Sequence, residues 1–180
     1  GYEQDKAANA PQPKYRCLVW ACPAHYYTNF TYWTQHCWGV TCVNDMAAML
    51  SYQPITIGDK EQALADLVRC YEKMMMRSHT NGGYVNLLDE CWKMCEKFHT
   101  NIVIMYDHVS CKNVGGLHGL FEDQARERGI HLSWSPHDVM DPRTVSRREM
   151  REAFSQYMVT VLNEKPLDPT LLDYEDALSW

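Results

Sequence analysis

Short apolar runs alternate with amphipathic stretches along most of the chain. Residues 15–22 read as a first strand closed by Pro23, and residues 29–38 as an aromatic-rich helix with Phe30, Trp33 and Cys37 at helical spacing. Gly39 stands where helices commonly end. Residues 40–43 form the second apolar run, and residues 44–58 read as loop or short helix broken by Pro54. Asp59 with Gln62 has the form of a capping box. The helix it opens runs to about residue 77, with Ala63, Leu64, Leu67, Val68, Tyr71, Met74 and Met75 as its apolar stripe. Residues 77–83 interrupt the pattern, and residues 84–98 resume it with Val85, Leu88, Trp92 and Cys95 on one face.

The run Ile102, Val103, Ile104 and Met105 is the most apolar of the strands, and Asp107, His108 and Ser110 end it. A helix follows over 117–128 with Leu117, Leu120 and Phe121 inward, and Gly129 caps it. Residues 130–134 are the fourth strand, and 136–143 an acidic turn. Ser146 and Glu149 make a second capping box, opening a helix that turns Met150, Phe154, Tyr157, Met158, Val161 and Leu162 inward. Strands that alternate with helices predict an α/β domain with a parallel sheet covered on both faces. The expectation is a flavodoxin-like, three-layer domain over residues 15–164, with four strands in the order 2-1-3-4. Residues 1–14 read as a linker or entry arm, and residues 165–180 as an acidic tail lying on a neighbour or loose.

Composition narrows the function. A chain of 180 residues is long enough to bury a real core. A net charge of −6 argues against a phosphate-backbone binder, so nucleic acid is not an expected partner. No apolar run approaches the roughly 20 residues of a membrane span, and the first ten residues lack the apolar segment of a signal peptide. Eight cysteines within apolar patterns, beside ten methionines, suit buried thiols in a reducing, oxygen-poor cytoplasm. The sequon at Asn29 is then idle. Cys91 and Cys95 sit four apart on one helix, but no second pair at ligand spacing lies nearby, so packing is the better account of them.

The chemistry concentrates after the third strand. Ligands in open α/β sheets bind outside the carboxyl ends of strands, at the point where strand order reverses. The predicted order puts Cys22 to His25 and Asp107 to Gly116 on either side of that point. Cys111 opens a helix beside Lys112, a setting that favours the thiolate, the form that binds metal. Gly115 and Gly116 would let a ligand approach the backbone. The competing reading makes Cys111 a small residue filling a turn. His25 and His108 are the candidate catalytic residues, able to move a proton or orient a substrate oxygen. Tyr26, Tyr27, Phe30, Tyr32 and Trp33 could wall the crevice or simply pack the core.

Three ordered pieces carry a resemblance to a known family: Arg77, Ser78 and His79 ahead of a helix; Ser110, Cys111 and Lys112 after a strand; and Asp138 to Arg143 before a capped helix bearing Phe154 and Met158. Over residues 16–163 the chain resembles the C-terminal domain of subunits of the benzoyl-CoA reductase and (R)-2-hydroxyacyl-CoA dehydratase family. The resemblance implies a [4Fe–4S] cluster held by three cysteines, two from an N-terminal domain and the third matching Cys111. Beside such a cluster Ser110 and Lys112 could donate to its sulfides or to a CoA phosphate, and Gly115 and Gly116 would give that ligand room at the backbone. The resemblance further implies a CoA thioester substrate reduced to a ketyl-type radical anion, a homologous second subunit, and a separate iron–sulfur activator that hydrolyses ATP. The chain then reads as the C-terminal part of a longer subunit, inactive alone. The run from Cys111 to Phe154 leans toward the reductase branch. Two other classes stand beside this one. A flavodoxin-like electron carrier lacks the phosphate loop it would need after the first strand. A dimerisation module has only the acidic tail and surface aromatics in its support.

Overall fold

The computed structural model describes residues 2–8, 13–46, 54–72 and 75–173. Four strands, β1 (Tyr15–Trp20), β2 (Val40–Asp45), β3 (Ile102–His108) and β4 (His131–His137), form one sheet in the order β2-β1-β3-β4. All three pairings are parallel. In the central pairing Cys17 lies beside Ile102 and Trp20 beside Met105. The two central strands are almost wholly buried from Cys17 to Trp20 and from Ile102 to Tyr106. Continuous apolar runs of this kind belong to parallel strands covered on both faces. The architecture is the flavodoxin-like α/β fold expected from the pattern.

One face is covered by α2 (Phe30–Trp38) and α7 (Arg147–Thr160). Phe154 meets Phe30 and Trp33 edge-on at 5.9 and 6.1 Å, a geometry aromatic rings prefer. Gly39 ends α2 with φ 70°, and Ser146 and Glu149 complete the reciprocal capping box of α7. The other face is covered by α6 (His118–Arg128) and the second half of α4 (Met75–Phe98), where Trp92 packs on Phe121 at 5.8 Å. Leu120 and Val161, expected inward, are exposed, while Arg151 is buried on α7 beside the Tyr27 hydroxyl at 3.1 Å.

Several other expectations are corrected. Residues Tyr2–Ala7 of the supposed arm are helical (α1), and residues 9–12 lie outside those described. The helix α3 (Lys60–Glu72) starts where Asp59 accepts the amides of Glu61 and Gln62. Gln62 does not close the box; its side chain donates to Asp66. Leu64, Leu67, Val68 and Tyr71 then face outward, because Asp66 is the residue turned in, tied to Thr56 N–H and Oγ1 at 2.9 and 2.7 Å. Met74 and the Met75 side chain lie outside the described residues, as do residues 47–53 of the loop before the helix. The interruption expected over residues 77–83 is only a bend: α4 runs through them and turns at Gly83 (φ 72°, ψ −177°), a conformation favouring glycine. Strand β4 continues through Pro136, which an edge strand tolerates because no ladder partner awaits its missing N–H. As far as Asp173 the tail packs on its own domain. Leu167 N–H donates to Cys37 O at 2.7 Å and Trp33 Nε1 to Leu171 O at 2.9 Å, seating the segment and its 3₁₀ turn (Pro169–Leu171) on α2. Residues 174–180 lie outside the described residues.

Candidate functional site

Leaving β1 the chain crosses to β2 on one side, and β3 lies on the other, so a crevice opens where these strands end. A cavity of about 130 Å³ occupies it. Trp20, Ala21 and Cys22 come from the end of β1; Tyr106 and His108 from β3; Cys111, Asn113 and Val114 from the turn and the one-turn helix α5 (Lys112–Gly115). Met46 closes the β2 side, and His79 and Leu87 of α4 form the roof. The wall is mainly apolar, with the Cys22 and Cys111 thiols, two imidazoles and the Asn113 amide set into it.

Cys111 is the N-cap residue of α5, half-buried and unpaired in any disulfide. Its backbone fixes the turn: its N–H donates to His108 O at 2.8 Å, and its carbonyl accepts from Gly115 N–H at 3.1 Å. The thiol caps nothing, so the side chain is left to face the cavity. The helix after it is a single turn, and the main helix begins only at His118.

His108 is held on both sides. Ser110 N–H donates to its Nδ1 at 3.1 Å, and Ser110 Oγ lies 3.0 Å from the same atom. An Nδ1 that accepts an amide leaves the ring proton of the neutral imidazole on Nε2. That nitrogen lies 3.9 Å from Asp138 Oδ2. Asp138 accepts the Met140 and Asp141 amides, each at 2.8 Å, which holds its carboxyl below the usual range. The acidic turn is thus a built loop: Asp141, paired with Arg143, is lowered to about 2. His25 N–H donates to Val139 O at 2.8 Å, tying this turn to the β1 loop.

The expected site residues divide. Cys111 and His108 share the cavity. Ser110, Lys112, Gly115 and Gly116 sit exposed on the outer side of the turn and do not line it. Ser110 acts through His108. A Cβ on Gly116 would stand 2.9 Å from Lys112 O, so this glycine answers to the packing of the turn. His25 is exposed and lines a separate cavity with Tyr27, Cys42 and Asp45. Of the aromatics, Tyr27, Phe30 and Trp33 are core, Tyr26 donates to Val145 O at 2.5 Å, and Tyr32 is exposed. The residue missed is His79. Its motif stands out in the sequence, but the break in pattern over residues 77–83 gave no sign that it lines this cavity. His137, buried behind His108 at 5.6 Å between ring centroids, was also missed; burial lowers its pKa. Cys91 and Cys95 are buried together in the helix layer, as packing requires.

The donor set fits one corner of an iron–sulfur cluster. Cys111 and Cys22 each offer a free thiol at this apolar cavity, and among the described residues no three His, Cys, Asp or Glu side chains converge as a complete metal site. Two thiols do not complete a cluster's ligand set, so the remaining ligands would have to come from outside the described residues. Also among the described residues, no helix is long and apolar enough to cross a membrane. No curated protein matches the chain. The family model described as 2-hydroxyglutaryl-CoA dehydratase, D-component, matches residues 2–157, which include the cavity and the whole sheet. The chain therefore belongs to the 2-hydroxyglutaryl-CoA dehydratase D-component family, subunits of acyl-CoA dehydratase-type enzyme complexes.

Proposed function

We propose that this chain supplies one thiolate, Cys111, to a [4Fe–4S] cluster in a subunit that works on CoA thioesters. The observation that carries the reading is the free Cys111 thiol lining an apolar cavity at the reversal point of the sheet. When bound, the cluster supplies a very low-potential electron to the acyl thioester. Trp20, Ala21, Met46, Leu87 and Val114 exclude water from that place, which low potential requires. His108 holds a proton at Nε2, oriented by Ser110 on one side and Asp138 on the other. Two further cysteines from an N-terminal domain, a homologous second subunit and an ATP-hydrolysing activator complete the proposed assembly, which works in the cytoplasm.

Two outcomes share this machinery. The run from Cys111 to Phe154 resembles the benzoyl-CoA reductase branch, in which electrons are consumed. The description of the matched family favours the dehydratase branch, in which the electron is returned and water leaves. The test is anaerobic reconstitution of the intact complex with iron and sulfide, with and without Cys111→Ala. Loss of cluster absorbance and iron from this subunit is expected; unchanged iron content ends the assignment. Counting electrons per substrate then separates the branches: two for net reduction, a catalytic trace for dehydration.

A further inference from the structure

Helix α3 turns its polar side inward. Its buried residue is a carboxylate: Asp66, 7% exposed, accepts from Thr56 N and Oγ1, Gln62 Nε2 and Arg69 Nη1 at distances between 2.7 and 3.0 Å. Its apolar stripe faces solvent. Leu64, Leu67, Val68 and Tyr71 are 54, 48, 57 and 68% exposed. They stand at i, i+3, i+4 and i+7, so they lie together on one face. A helix of 13 residues is marginal in isolation, and in folded proteins its buried apolar face is what holds it. That face of α3 has no cover among the described residues, so it calls for a partner.

Two features of the stripe say which partner fits. The first is symmetry. Leu67 and Val68 form its middle, and Leu64 and Tyr71 its ends. A second copy laid antiparallel, about a two-fold axis between residues 67 and 68, sets Leu64 against Tyr71 and Leu67 against Val68. A two-fold dimer requires a patch that is self-complementary in this way. The second feature is charge. Lys60 begins α3 and Glu72 ends it, so each stands at the end of its own helix dipole that opposes it. In the antiparallel pair each lies beside the favourable end of the other helix. Lys60 of one copy also comes within three residues of Glu72 of the other, about 4.5 Å along the axis, a gap that a lysine side chain spans. Arg69 is already held by Asp66 at 3.0 Å.

The area agrees with a reversible pair. The four side chains expose on the order of 400 Å² of apolar surface, at the upper end of what monomers show in one patch. Homodimer interfaces are about 65% apolar, so a patch centred on these residues covers roughly 600 Å² per copy, the low end of stable interfaces.

We propose that α3 is a self-association surface, on which two copies of this chain pair antiparallel through Leu64, Leu67, Val68 and Tyr71. This goes beyond the cluster reading and does not rest on it.

The test is sedimentation equilibrium of the full chain over a wide range of concentration. Wild type should approach twice the mass of one chain as concentration rises. Val68→Arg sets two like charges near the axis and should weaken the dimer by roughly tenfold or more. Its far-UV circular dichroism should match wild type, because the position is exposed in the single chain. Lys60→Glu and Glu72→Lys should each weaken the dimer roughly threefold, the size expected of exposed ion pairs. Together in one chain they should restore it. Each charge reversal also suits the dipole of its own helix, so a weaker dimer in either is no folding defect. If Val68→Arg loses helix content, Leu64→Gln and Tyr71→Gln are read in its place by the same criterion. A chain that stays monomeric at every concentration overturns the proposal. So does a dimer that Val68→Arg leaves intact, or a double charge variant in which the two losses simply add. A chain monomeric alone, whose Val68→Arg form drops out of the intact complex, gives the face to another subunit and overturns it as well.

Discussion

Adjacent glycines in the Cys111 turn should respond to alanine with opposite sign. At Gly116 an added Cβ would lie 2.9 Å from the carbonyl oxygen of Lys112, closer than side-chain carbons come in real structures. That oxygen is fixed, since it accepts the Gly116 N–H at 3.0 Å, so the turn itself must shift. Overpacking of this kind costs about 1–3 kcal/mol. For a domain of this size each kcal/mol moves the melting temperature by about 2–4 °C, so Gly116→Ala should melt roughly 2–12 °C lower. At Gly115 the nearest atom to an added Cβ is Asp107 Oδ1 at 3.9 Å, an ordinary contact. Alanine there restricts the unfolded chain and should stabilise by about 0.4–1 kcal/mol, a rise of roughly 1–4 °C. The assay is thermal unfolding of the chain followed by circular dichroism, with urea midpoints as a second measure. Because Cys111 caps this turn, Gly116→Ala should also lower iron retention in the reconstituted complex, while Gly115→Ala should keep it. Equal shifts for the two variants, or a larger loss at Gly115, would refute the packing argument. Intact stability with lost iron at Gly115 would restore the idea that a ligand approaches its backbone.

Other expectations follow from the same geometry. Ser146→Ala removes the cap that accepts Glu149 N–H and should cost about 1 kcal/mol, read as a melting temperature roughly 2–4 °C lower. Phe154→Ala empties a fully buried site between Phe30 and Trp33 and should cost about 3–5 kcal/mol in urea unfolding. Burial lowers the pKa of both His79 and His137, so the unfolded chain binds their protons first. Their contribution is present above the unfolded histidine value, about 6.5, and is lost as pH falls below it. The melting temperature should thus drop between about pH 6.5 and 5; a rise on acidification would contradict the assignment. In the folded chain a thiol reagent should modify exposed Cys22 first, and reach Cys17, Cys37, Cys91 and Cys95 only after denaturant is added; mass mapping of labelled peptides reads this out.

The pattern of apolar runs carried the layered fold because each strand is short, continuous and flanked by turn chemistry that means one thing. Gly39 and Gly129 take the left-handed conformation that ends a helix, and Ser146 with Glu149 closes a box that is wholly local. Patterning misled where the deciding partner is distant. The stripe on α3 has helical spacing, yet periodicity states only that one face is apolar; Thr56 binding Asp66 decided which face turned in. Pro136 reads as a breaker until β4 is known to be an edge.

The sequence by itself determined the sheet order, the turn after β3 and the presence of a thiol in it. Those are consequences of local spacing and of the rule that parallel strands need helical crossovers. Tertiary structure alone decided what the thiol faces. His79 lies 32 positions before Cys111 in the chain, and a bend at one glycine brings it into the same cavity. His25, nearer the expected crevice in sequence, points to another. Which side chains share a cavity depends on helix direction and packing between layers, and no one-dimensional period encodes that.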